Sequence, residues 1–124
     1  MSEQSSGVLL SDDLLFASKI TSTARALRLS LRQARSSNEL LSQIEAPDAP
    51  PRCVILDLHH PGLDIETIMQ RLKQGSLFVV GYGSHVDAST LKRARDAGCD
   101  LVLPRSKFVE ELPTALPRWL AGRP

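Results

Sequence analysis

The stretch Cys53-Val54-Ile55-Leu56-Asp57-Leu58-His59-His60-Pro61-Gly62 decides the fold. Its opening run of apolar residues has no polar alternation, so it reads as a strand buried on both faces, the habit of parallel sheets covered by helices on either side. Pro61-Gly62 then makes an exit loop. A carboxylate at the end of such a strand emerges at the carboxyl edge of the sheet, where open α/β folds bind their ligands. Asp57 is therefore the first candidate for a functional residue.

Upstream, Val8-Leu9-Leu10 reads as an inner strand that reaches Asp12-Asp13. Acidic side chains there suit the N-cap and first turn of a helix carrying Leu15, Phe16, Ile20 and Ala24. Arg28-Leu29-Ser30-Leu31-Arg32 alternates polar and apolar residues, as an edge strand does. Ser36 with Glu39 three residues on fits a capping box, opening a helix whose apolar face is Leu40, Leu41 and Ile44. The segment Ala46-Pro47-Asp48-Ala49-Pro50-Pro51 makes a surface connection to the Cys53 strand.

Downstream, Leu63, Ile65, Ile68, Met69 and Leu72 have helical spacing, and Leu77 to Val80 returns to a continuous apolar run. Gly81-Tyr82-Gly83-Ser84 is expected to open as a loop before a helix from Ala88 to Ala97 that stops at Gly98. Leu101-Val102-Leu103 is the last strand. Pro104-Arg105-Ser106-Lys107 leads to a final helix with Phe108, Leu112, Leu116, Trp119 and Leu120 inward, which Pro113 and Pro117 are expected to bend or divide.

Five strand–helix units fill the chain. Right-handed crossovers between parallel strands place helices on both faces. The expected fold is one domain over residues 1–124, a doubly wound five-stranded parallel α/β sheet of flavodoxin-like topology with strand order 2-1-3-4-5.

Charge and cysteine content bound the function. Fifteen Lys and Arg stand against fourteen Asp and Glu, a formal charge of +1, and the basic residues are scattered. No basic face supports nucleic acid or an anionic membrane as a direct partner. Two separated cysteines, Cys53 and Cys99, make no disulfide framework, and no segment has the length of a membrane span, so a cytoplasmic protein with reduced thiols is expected.

The acidic pair Asp12-Asp13, the Asp57-Leu58-His59-His60-Pro61 segment and the Ala97-Gly98-Cys99-Asp100 turn, in this order and spacing, resemble the receiver domain of bacterial two-component response regulators over about Val8 to Leu116. That resemblance implies phosphoryl transfer from a histidine kinase or phosphotransfer protein to Asp57. It also implies Mg²⁺ held by Asp12, Asp13, Asp57 and the backbone carbonyl of His59. Mg²⁺ favours hard oxygen ligands and offsets the repulsion between a carboxylate and an incoming phosphoryl group. Such a module is at most a phosphoryl acceptor with self-dephosphorylation, not a metabolic enzyme. Its further partners would be an effector protein and a second copy in a homodimer.

The chain departs from that family at three switch positions. The hydroxyl that ends the fourth strand is replaced by Gly81 or Gly83, leaving Ser84 as the nearest substitute. Arg105-Ser106 stands where the family has Lys-Pro. Arg offers a planar donor array in place of a compact ammonium, Lys107 is two residues on, and loss of the proline implies a different loop route. The aromatic of the fifth strand becomes Val102. A phosphorylation-independent pseudoreceiver acting as a protein-interaction module is the alternative expectation.

Other constellations are weaker. His59, His60 and His85 lack the spacing of a zinc site and read as loop histidines. Gly81-x-Gly83 is too short for a nucleotide loop. Leu116, Trp119 and Leu120 are expected to cover the sheet, with a partner surface as the alternative.

Overall fold

The computed structural model describes residues 6–45 and 50–122. Strands β1 (Ser6–Leu10), β2 (Ser30–Ala34), β3 (Cys53–Asp57), β4 (Phe78–Gly83) and β5 (Leu101–Pro104) alternate with helices α1 (Leu14–Ala26), α2 (Ser37–Ile44), α3 (Ile65–Leu72), α4 (Ala88–Asp96) and α5 (Arg105–Leu120). Every strand pairing is parallel, and the order across the sheet is β2-β1-β3-β4-β5. The doubly wound topology is the one the alternating periodicities predict.

Because side chains alternate across a strand, the sheet divides the core in two. Val8, Leu10, Val54 and Leu56 enter a cluster with Leu40 of α2, Ile68 and Leu72 of α3, and Leu91 of α4. Leu9, Cys53, Ile55, Val80 and Tyr82 enter the other, with Ile20 and Ala24 of α1 and Phe108, Leu116 and Trp119 of α5. Each large apolar side chain so buried contributes about 1.5–3 kcal/mol. Leu116, Trp119 and Leu120 are thus sheet cover, as expected. One more step of the alternation carries Asp57 to the α1/α5 side, in register with Tyr82.

Helix ends follow local chemistry. Ser36 Oγ accepts from Glu39 N–H at 3.1 Å, while Glu39 Oε1 reaches back to Arg35 N–H at 2.5 Å, a capping box closed one residue further out than usual. Gly98, at φ +106°, ends α4 where sequence placed the stop, and a Cβ there would overlap the Lys73 side chain. Among the described residues no helix is long and apolar enough to cross a membrane.

Several expectations move. The second strand is Ser30–Ala34 and not Arg28–Arg32, because the end of α1 consumes Arg28 in a left-handed turn at φ 62° and ties Leu29 N–H to Ala24 O at 2.9 Å. Leu15 is 87 % exposed. With Ala17, Ile20 and Ala24 facing the sheet, it lies on the opposite side of α1. The fourth strand continues through Gly81-Tyr82-Gly83 instead of opening there, because all three pair with β5. α5 starts at Arg105 directly from β5 and runs undivided past Pro113 and Pro117. Residues 46–49 of the expected surface connection lie outside the described residues.

Candidate functional site around Asp57

Asp57 closes β3 and is only 5 % exposed. Its Oδ1 accepts from His59 N–H at 3.0 Å and its Oδ2 from the Ser11 hydroxyl at 3.4 Å. Ser11 is fully buried and joins the two acidic segments, since its Oγ also accepts from Asp13 N–H at 3.1 Å. Asp13 is the N-cap of α1, its Oδ1 accepting from Phe16 N–H at 3.1 Å, and both Asp12 and Asp13 are exposed. This capping role is the one that residue type and position dictate.

Tyr82 is the cross-strand partner of Asp57 and has no exposed surface. Its ring packs against both Phe108, at 4.6 Å between centroids, and Phe16, at 5.1 Å, which also approach each other to 6.3 Å. The Ser11 hydroxyl is near enough to favour the phenolate, but among the described residues no atom sits in hydrogen-bond geometry with Tyr82 Oη. Burial first, and the Asp57 charge next, push the phenol above its ordinary range, so Tyr82 is a neutral phenol.

His59 ties the loop after β3 to the loop after β4. Its Nε2 accepts from Ser84 N–H at 2.8 Å, which assigns the ring proton to Nδ1, 4.0 Å from Asp87 Oδ2. Hydrogen bonds from Thr90, then Ser89, hold the Asp87 carboxyl below its usual range. His60 has a separate task. Its Nδ1 accepts from Gly62 N–H at 3.1 Å, so its Nε2 donates to Arg35 O at 2.7 Å and staples the β3 exit loop to the end of β2.

The remaining candidates are dispersed. Ser84 Oγ accepts from Val86 N–H at 3.3 Å and makes no bond to Asp57. Arg105 lies with its guanidinium carbon 5.0 Å above the Phe16 ring. Lys107 pairs with Glu111 along α5 at 3.7 Å. Val102 packs in the α2/α3/α4 core, on the face opposite Tyr82.

The oxygen set of Asp12, Asp13, Asp57 and His59 has the chemistry Mg²⁺ favours. Among the described residues no three His, Cys, Asp or Glu side chains gather into a metal cluster. Asp13 Oδ1 caps its helix and each Asp57 oxygen accepts one protein donor, which leaves Asp13 Oδ2 and the remaining carboxylate lone pairs open to a cation.

The sequence carries no signal for Ser11, and Tyr82, expected in a loop, lies in β4. The signal for Tyr82 was present in the period-2 continuation of Val80-Gly81-Tyr82, which two flanking glycines disguise as a turn.

No protein-family model and no curated protein matches this sequence. Solved structures do. A candidate response regulator from Chloroflexus aurantiacus superposes with a TM-score of 0.78 at 25 % identity, over 94 % of this chain and 97 % of that one. This chain folds as a response-regulator receiver domain. A response regulator receiver protein from Burkholderia phymatum gives a TM-score of 0.79 at 24 % identity, covering 95 % of this chain and 96 % of that one. The receiver domain of NtrX from Brucella abortus gives 0.78 at 21 %, covering 94 % and 99 %. The receiver fold therefore accounts for the strand order and for the place of Asp57 at the carboxyl edge of the sheet, and it supports a response-regulator signalling module.

Proposed function

We propose that this receiver domain signals by protein–protein contact without phosphoryl transfer, as a pseudoreceiver. The observation that carries this reading is the enclosure of Asp57. The carboxylate is nearly buried, capped by Ser11 and by its own loop, and lies opposite a fully buried tyrosine. An acyl phosphate there would need several anionic oxygens satisfied, whereas neither Arg105, over the Phe16 ring, nor Lys107, beside Glu111, makes a hydrogen bond or ion pair with Asp57.

The second reading is phosphoryl transfer from a histidine kinase to Asp57 with Mg²⁺ at Asp12, Asp13 and His59 O. It is favoured by the strand-end position of Asp57 and by Ser11, which links that carboxylate to the acidic pair. In that reading Asp13 keeps its Oδ1 cap and offers Oδ2 to the ion. In either case a cytoplasmic module with an effector protein as its partner fits the fold.

Magnesium titration followed by backbone amide shifts tests the choice. The pseudoreceiver reading expects no saturable change at Asp12, Asp13, Asp57 and His59 up to about 10 mM Mg²⁺, a concentration that would reveal even millimolar affinity. Saturable shifts confined to those residues would overturn it.

A further inference from the structure

We infer that the cleft between the start of α1, the β4–α4 loop and the start of α5 is a binding site for a small amphipathic carboxylate. The cleft has a volume of about 520 Å³ and is lined by Phe16, Ser84, His85, Arg105, Ser106 and Val109. Sites for small organic ligands run from about 300 to 1,000 Å³ and combine an apolar body with a few convergent polar groups. Phe16 and Val109 supply the first here, and Ser84, His85, Arg105 and Ser106 the second.

The sign of the ligand's charge follows from Arg105. Its guanidinium is held over the Phe16 ring, and it makes no hydrogen bond or ion pair with the other described residues. The ring contact uses no N–H donor, so the guanidinium edge remains available to take a carboxylate in two parallel hydrogen bonds. No carboxylate lines the cleft, so the charge has no counter-ion there. The first turn of α5 adds to the field, because its N-cap is Pro104, with no side chain to bond the leading amides.

The apolar body of the ligand would lie along Phe16 and Val109, with its carboxylate on Arg105 and Ser106. Ser84 sits on this wall through its bond to His59, so the cleft shares a loop with the Asp57 segment without using Asp57 itself.

Titration with naphthoate, followed by amide shifts, tests the assignment, with neutral naphthamide as the comparison. The expected result is saturable shifts at Ser84, His85 and Ser106, with naphthamide and the Arg105→Ala variant each at least about tenfold weaker, as loss of a charge-assisted pair implies. Arg105→Lys should recover part of the loss, since it restores charge but not the fork. Equal binding of naphthoate and naphthamide, no effect of Arg105→Ala in a protein that still melts cooperatively, or unsaturated shifts spread over exposed Leu14 and Leu15 would each overturn the site.

Discussion

The backbone N–H of Ser84 donates to Nε2 of His59 across 2.8 Å, so the loop that follows Asp57 holds the loop that follows β4. Gly83 permits this approach. A Cβ there would stand 3.1 Å from His59 Nε2 and 3.2 Å from Leu91. His59, read from sequence as a source of a backbone oxygen, acts here through its ring.

Replacing His59 with Ala should free the Ser84 amide and cost about 0.5–1.5 kcal/mol, the net value of one such hydrogen bond. The His59 N–H to Asp57 bond belongs to the backbone and should survive. Amide exchange is the check: faster exchange at Ser84 with β3 unaffected is expected, and unchanged protection at Ser84 would contradict the tie.

Tyr82 lends itself to a pair of variants. Its buried hydroxyl has no hydrogen-bond partner among the described residues, so Tyr82→Phe should leave stability unchanged or raise it by up to about 1 kcal/mol, since an unsatisfied polar atom is removed. Tyr82→Ala removes a fully buried ring packed on Phe16 and Phe108 and should cost about 3–5 kcal/mol. Urea unfolding measures both. A marked loss in Tyr82→Phe would show that the hydroxyl is bonded to Asp57 or Ser11 in solution.

Alkali should unfold the domain earlier than its surface charges alone would require. Burial, with the Asp100 charge a smaller cause, pushes the Cys99 thiol up to about 12 from 9.0, and burial pushes Cys53 higher still. The folded state holds these protons more tightly than the unfolded chain. Their stability contribution is therefore complete below about pH 9 and is lost as pH rises from there toward 12. The urea midpoint should be flat between about pH 7 and 8.5 and fall above about pH 9, less steeply in Cys99→Ala. A midpoint level to pH 11 would count against these placements.

Much of this fold was legible because its signals are local and strong. Runs such as Cys53 to Leu56 can only be inner strands, and Ser36, Glu39 and Gly98 mark helix ends by their own hydrogen bonding and backbone preference. What local signals could not supply was competition between neighbours. Gly81 and Gly83 look like a turn, yet pairing with β5 keeps them in the strand and brings Tyr82 opposite Asp57. Leu15 fits an apolar stripe by spacing, yet α1 turns Ala17, Ile20 and Ala24 to the sheet and leaves Leu15 in solvent. Arg105 and Lys107 looked like reaching loop cations, but the helix starts at Arg105, directing one onto Phe16 and the other along its own helix. Side-chain destinations depend on such phase choices, so the acidic segments were readable and their surroundings were not.

The central claim is that Asp57 is enclosed and does not accept a phosphoryl group. Treatment of the intact domain with a small acyl phosphate and Mg²⁺, followed by mass analysis of the peptide containing Asp57, tests it most directly. The expected result is an unmodified peptide, the same in wild type and D57N. A phosphoryl adduct on Asp57 that is absent from D57N would contradict the account.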